Sequence, residues 1–179
     1  GLDFIWATTY RSRNGETVTM GNNWTHSYDI RVAQSGADML VRDGTGRRAT
    51  YFLQADGSFV RRGFFRRGTL AANVFTLEFA GKGRWIFNPL TGSPSAGKIA
   101  QIVDRNGNAL QFSYDGAGRL AVIVDTLGRT YQVQYDPNGR VGALIDFSGR
   151  SVVYSYYGTG NPLGANGMLR TIRSPLVTG

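Results

Sequence analysis

Residues 104–120 read DRNGNALQFSYDGAGRL, and residues 125–141 read DTLGRTYQVQYDPNGRV, nearly the same statement twenty-one positions later. A catalytic or binding motif is ordinarily stated once, so repetition at fixed spacing points to a structural unit. Three units begin at Gly97, Gly118 and Gly139: GKIAQIVDRNGNALQFSYDGA, GRLAVIVDTLGRTYQVQYDPN and GRVGALIDFSGRSVVYSYYGT. A partial unit follows at Gly167, after a seven-residue insertion that includes NPLGAN. Repeats of this length build arrays in which each unit buries its faces against its neighbours.

Within each unit the second half alternates: Leu110, Phe112, Tyr114; Tyr131, Val133, Tyr135; Val152, Tyr154, Tyr156. A period of two marks a strand with one buried face. The first half is less regular, with Ile99, Ile102 and Val103, then Leu120, Ile123 and Val124, then Val141, Leu144 and Ile145. A bulge, or a strand buried on both faces, explains that pattern. Between the halves stands Asp, two variable residues and Gly: Asp104 to Gly107, Asp125 to Gly128, Asp146 to Gly149. A carboxylate at the first turn position accepts backbone N–H bonds, and Gly takes the positive φ that closes a hairpin with a bulge. Each unit thus reads as a β-hairpin, joined to the next by a turn of the same kind, Asp115 to Gly118 or Asp136 to Gly139.

Residues 1–96 look like the same material in less regular form. MLVRDGTGRRATYF (39–52) offers strand, turn at Asp43 to Gly46, and strand, with further turns near Asp56-Gly57 and Gly81 to Gly83. GTLAANVF (68–75) is the nearest approach to helical periodicity, and its shortness makes it a loop edge. The chain divides accordingly into an N-terminal region of irregular hairpins, 1–96, and a repeat region, 97–179. The expected class is all-β, with tandem antiparallel hairpins forming a curved, spiralling sheet.

Composition agrees. An apolar share of 41% over 179 residues is enough for a core, and 25 Gly, nine Tyr and ten Phe suit strands joined by tight turns. With no cysteine, disulfides and thiolate metal sites are excluded. No run approaches the ~20 apolar residues of a membrane helix, and GLDFIWATTYRSRNGE lacks the shape of a secretory signal. The chain opens on Gly and closes partway through a unit, so it is expected to be a segment of a longer protein.

These residues resemble the RHS/YD-repeat family, named for the Tyr-Asp pair that stands here as Tyr114-Asp115 and Tyr135-Asp136, followed by Gly-Arg-Leu or Gly-Arg-Val. The third unit departs, with Tyr156-Tyr157 in place of the pair. TYRSRN (9–14) and GNNWTHSYDIRV (21–32) look like the beginning of such proteins. The resemblance implies a hollow shell, wound from a strip of hairpins, that encloses a C-terminal toxin in secreted bacterial toxins and insecticidal toxin complexes; related shells occur in animal adhesion proteins. It implies as partners the rest of the shell, the enclosed toxin, and a secretion-apparatus or chaperone protein. Localisation would be secreted or at the bacterial cell surface. Some members carry an aspartyl autoprotease with an Asp-Pro-x-Gly-Leu motif. Asp136-Pro137-Asn138-Gly139 has Arg140 where Leu is required and sits in repeat register, so it reads as a turn.

Other chemistry has weaker support. His26 is the single histidine, and no G-x-S-x-G accompanies it, so it reads as packed or hydrogen-bonded beside Trp24 and Tyr28. Paired carboxylates for glycoside hydrolysis are not apparent, because the acids sit at turns and recur with the repeat. Asp104, Asn106, Asn108 and Asp115 mimic a calcium loop, but Ala109 stands where that loop needs Gly. RRGFFRRG (61–68) sets Arg61, Arg62, Arg66 and Arg67 around two phenylalanines. It is either a ligand contact or a strand with one apolar side and a charged border. The formal charge of +8 comes from eighteen Arg and two Lys spread along the chain, which argues for an acidic partner surface or cargo at least as much as for nucleic acid. Asn23-Trp24-Thr25 matches the glycosylation sequon, which has meaning only in an animal protein. The reading is a non-enzymatic wall segment without cofactor or metal; the alternative is a carbohydrate- or protein-binding module of a cell-surface or wall-associated protein.

Overall fold

The computed structural model describes residues 2–12 and 17–175, and every regular element among them is a strand. Arg13 and Asn14 of the TYRSRN stretch and the last four residues of the partial unit lie outside the described residues. Near the start, β1 (Thr8–Tyr10) pairs antiparallel with β4 (Trp24–His26), and β2 (Thr17–Val18) with β3 (Gly21–Asn22). Fourteen strands then follow as one antiparallel meander, each bonded to the one before it. The N-terminal region supplies β5 (Arg31–Ser35), β6 (Asp38–Arg42), β7 (Arg48–Leu53), β8 (Phe59–Val60), β9 (Arg66–Ala71), β10 (Val74–Phe79) and β11 (Gly83–Phe87). The repeats supply β12 (Ile99–Asp104), β13 (Ala109–Tyr114), β14 (Leu120–Val124), β15 (Thr130–Tyr135), β16 (Val141–Ile145), β17 (Ser151–Tyr156) and β18 (Leu169–Arg173). The sheet is an open strip of tandem hairpins, continuous from β11 into β12, as the alternating pattern requires.

The irregular first half of each unit is a bulge. Between β13 and β14 the register passes from Ser113↔Val122 to Tyr114↔Leu120, skipping Ala121. The same slip skips Gly142 between β15 and β16, Arg170 between β17 and β18, and Ala100 between β11 and β12. One extra residue returns the side chain to the same face after three positions instead of two, so Leu120 and Ile123 are both buried, as are Val141 and Leu144. Bulges also bend and twist the strand that carries them, which curves the strip.

Two segments depart from the sequence reading. GTLAANVF is a tight hairpin between β9 and β10, with Ala72 and Asn73 at φ 47° and 65° forming its two-residue turn. That mirror-image turn matches the twist of the strands and overrides the weak helical spacing of the alanines and leucine. RRGFFRRG runs through a turn, closed by the Phe64 N–H to the Arg61 carbonyl at 3.2 Å, and enters β9 only at Arg66.

The strip curls until its first strand meets its eighth. Arg31 and Lys98 form an antiparallel bridge, flanked by Val32 N–H to Gly97 O at 2.7 Å and Ile99 N–H to Ile30 O at 3.0 Å. Inside this curl Phe75 packs edge-on against Phe59 at 5.6 Å and beside Phe87 at 5.8 Å. Farther along, the apolar face of the repeats is covered by the chain's own beginning. Phe4 stacks on Tyr131 at 3.8 Å and on Tyr28 at 5.6 Å, while Tyr28 tilts against Phe112 at 5.1 Å. Full burial of side chains of this size contributes roughly 1.5–3 kcal/mol each, so the repeats and the segments around Phe4 and Tyr28 stabilise one another.

Candidate functional site

The turns that begin at Asp104, Asp115, Asp125, Asp136 and Asp146 close in the same way. Asp104 N–H donates to Asn108 O at 2.9 Å, and Gly107 N–H returns to Asp104 O at 3.2 Å; the pattern recurs at Asp115 with Gly118, Asp125 with Gly128, Asp136 with Gly139, and Asp146 with Gly149. The glycines take φ from 76° to 86°, a left-handed conformation that other L-residues enter only at a cost. One carboxylate oxygen accepts the N–H groups two and four residues ahead, as in Asp125 from Leu127 at 2.9 Å and Arg129 at 3.0 Å. The other accepts a side chain four residues ahead: Asn108 Nδ2 for Asp104, and the Nε of Arg119, Arg129, Arg140 and Arg150 for the rest, at 2.6 to 2.9 Å. Asp43 builds the same turn in the N-terminal region, accepting from Thr45 and Arg47.

These carboxylates are filled with N–H donors, an environment that suits an anion held in place and opposes a cation site at Asp104. Among the described residues no group of three or more His, Cys, Asp or Glu is placed to hold a metal. Burial pushes the Asp125 carboxyl up, but the bonds from Arg129 and the backbone outweigh it and hold the group below the ordinary carboxylate range. The Ser148 hydroxyl, followed by Arg150 and two backbone N–H groups, brings Asp146 down to about 2.

The tyrosine of each unit secures the bulge. Tyr114 donates its hydroxyl to Ile99 O at 2.7 Å, Tyr135 to Leu120 O at 2.7 Å, and Tyr156 to Val141 O at 2.8 Å. Each acceptor is the residue just before the skipped one, where the ladder is interrupted. A cation covers each ring: Lys98 on Tyr114 with its Nζ 5.7 Å from the centroid, Arg119 on Tyr135 at 4.5 Å, and Arg140 on Tyr156 at 4.6 Å. Arg119 and Arg140 therefore each do two things, pairing with the Asp of their own turn and capping the tyrosine one unit ahead. Burial raises the pKa of all three phenols, which stay protonated donors. Tyr156 keeps this role where the pair is lost. Tyr157 replaces the aspartate, bonds Met168 O through its N–H at 2.9 Å, and spans the longer loop of the insertion.

His26 is buried, its ring stacked on Trp6 at 4.3 Å, and its Nδ1 accepts the Tyr28 N–H at 3.3 Å. Trp24, two residues before His26 on β4, tilts against Tyr10 of β1 at 5.2 Å. Burial, only partly opposed by Asp29, lowers the His26 pKa to about 4, so the ring is neutral. Asp29 is held by Arg42 and by Thr25 Oγ1. The Ser27 hydroxyl donates to Ala7 O at 3.2 Å and accepts the Ala7 N–H at 2.7 Å. The arginine cluster is at the surface: Phe65 is 91% exposed, Arg61 and Arg66 flank Phe64, Arg66 also covers Phe79, and Arg67 pairs with Asp56 at 2.7 Å. Arg62 is exposed in the same turn.

Sequence reasoning missed the skipped residues themselves, although the three-residue spacing of Ile99 and Ile102 was their signal. It missed Phe4 and Trp6 entirely, since nothing local tells an aromatic that it will cover a strand more than a hundred residues away.

A family model described as RHS Repeat matches residues 95–130 and again 114–151. A second, described as a domain of unknown function (DUF6531), matches residues 1–51. Comparison with the curated proteins gives no match.

Proposed function

The chain belongs to the RHS/YD-repeat family, and from that premise we propose that it is a non-enzymatic wall segment of a secreted RHS/YD-repeat toxin. In this role it forms part of a β-shell that encloses a C-terminal toxin until delivery. Its partners are the rest of the shell, the enclosed toxin and a protein of the secretion apparatus or a chaperone, and its location is outside the producing cell or on its surface. The observation that carries the reading is the repeated wiring of Asp, Arg and Tyr, which bond to one another within each turn and bulge and so recur with the wall. The N-terminal region 1–96 begins the wall and the units from Gly97 onward extend it.

The test is protection of cargo in the natural full-length protein. Limited proteolysis should spare the domain downstream of the repeats and cleave it once the units of 97–156 are removed. Cargo equally cleaved in both would sink the proposal.

A second reading has its own support, the exposed Phe65 beside Phe64 and four arginines. In it the segment is a binding module for carbohydrate or protein at a cell surface or wall. Specific signals on a glycan array, lost when Arg61, Arg62, Arg66 and Arg67 are changed to Ala, would favour it.

A further inference from the structure

Residues 19–31 run along the line of bulges and touch it at intervals. Ile99 N–H donates to Ile30 O at 3.0 Å in the first unit, and Val141 N–H donates to Thr19 O at 2.7 Å in the third. Between these two anchors, at the unit that starts at Gly118, the chain stands away from the strip and a cleft of about 370 Å³ opens. That volume lies within the range of small-molecule sites.

The cleft is lined by Arg31, Lys98, Arg119 and Arg140, with Tyr114 and Tyr135 between them and Asp29 as its one carboxylate. Asp29 is bonded to Arg42. Asp115 and Asp136 hold Arg119 and Arg140 through Nε at 2.8 Å, and among the described residues the Nη groups of both arginines keep donors to spare. Those Nη groups are pre-oriented by the turn that fixes Nε, a geometry suited to two-pronged contacts with an oxyanion. Lys98 donates to Gly118 O and has further donors. Among the described residues it forms no ion pair, and burial lowers its pKa. Hairpin-to-hairpin spacing puts the cations roughly 10 Å apart along the cleft, twice the distance between neighbouring strands.

We propose that this cleft is a binding site for an oxyanion, a phosphate or carboxylate group on a ligand of monosaccharide size, held between Lys98 and the free edge of Arg119, with Arg140 the next cation along the cleft. The two tyrosine rings supply apolar walls for the body of such a ligand. An inserted anion would gain a contact with two neighbouring repeats and with the segment that covers them, so it would tie the wall to the beginning of the chain.

Calorimetric titration of the 179-residue chain at low salt tests this with two probes, inorganic phosphate and glucuronate. Saturable binding of at least one is expected, weakened about tenfold by Lys98→Gln and unchanged by Arg62→Gln, which lies in the exposed loop. The probe that binds more tightly identifies the oxyanion. Melting curves check that Lys98→Gln folds. If it does not, the Nε–H signal of Arg119 in the unaltered chain takes its place and should shift on titration while that of Arg67 stays still. Binding of neither probe, or equal weakening by Arg62→Gln, or uniform shifts of all arginines, would overturn the proposal.

Discussion

At the scale of single residues, the decisive group is the hydroxyl of a tyrosine. Leu120 is buried, and its carbonyl stands where the ladder slips, so Tyr135 is its partner in place of a strand. Tyr135→Phe keeps the ring, the covering Arg119 and the shape, and removes that one bond. An unsatisfied buried carbonyl costs about 1–3 kcal/mol, and urea unfolding should register a loss of this size. Tyr131→Phe is the control, since its hydroxyl reaches Asp125 only at 3.5 Å, and it should cost much less. His26 sets a second expectation. Its pKa falls from 6.5 in the unfolded chain to about 4 when buried, so the unfolded state binds the proton first. Stability is therefore full above pH 6.5 and declines as pH falls towards 4, by about 3 kcal/mol from a shift of this order. The turn carboxylates act lower: Asp104, Asp115, Asp125 and Asp146 are all held below 3.8, so their contribution is present above that value and is lost between about pH 4 and pH 2. Unfolding midpoints measured from pH 8 to pH 2 should fall in two stages, and His26→Gln should flatten the upper one. A profile flat from 7 to 4 in the unaltered chain would rule out this account of the histidine.

At the scale of elements, the repeated turn explains both what the sequence disclosed and what it withheld. Asp and Gly were legible because the whole interaction lies within five consecutive residues and recurs at Asp104, Asp125 and Asp146; chemistry that local must appear in the pattern. The tyrosine's bond reaches fifteen residues back, so the letters Tyr-Asp advertise a repeat without saying what the ring does. The bulge was legible only as an anomaly of spacing, with two explanations open until the register chose between them. GTLAANVF was misread because Ala-Asn is a poor turn signal beside Asn-Gly, and the strands on either side impose the turn. Two glycines of one conformation separate local from tertiary demands. Gly118 and Gly128 share φ 76°, and nothing lies within 4 Å of a Cβ at Gly128, whereas at Gly118 that atom would stand 2.2 Å from the Pro94 carbonyl oxygen. Gly128→Ala should cost only the left-handed strain of an alanine, about 1–2 kcal/mol. Gly118→Ala must also displace the backbone at Pro94, so its melting temperature should drop well beyond that of Gly128→Ala. Equal losses would mean that the loop around Pro94 yields freely.

At the scale of the whole molecule, the strip has two ends of different kinds. Its first strand, β5, is turned inwards and bridged at Arg31 to Lys98, just ahead of β12, while Leu2, Phe4, Trp6, Tyr28 and Ile30 cover the neighbouring apolar face. Even the far end is touched by this segment, for Asn22 Nδ2 donates to Asn166 O at 2.9 Å across 144 positions. That contact could not be anticipated from any local pattern. The last strand is bare by comparison. Among the described residues no strand pairs with the outer edge of β18, and Ile172 is 48% exposed on it. An unpaired edge carrying an exposed apolar side chain is a template for another strand, and a hairpin strip is built to be extended by one. A second copy of the chain can offer such a strand, whereas β5 cannot, because its own beginning is already engaged. The 179-residue chain is therefore expected to associate edge to edge through β18, with sedimentation coefficients that rise with concentration. Ile172→Lys sets a charge on that edge, which charged side chains protect in natural sheets, and should return the chain to monomer without altering its strand content by circular dichroism. A chain that stays monomeric at every concentration would mean that β18 is already sheltered, and that the wall does not grow from this edge.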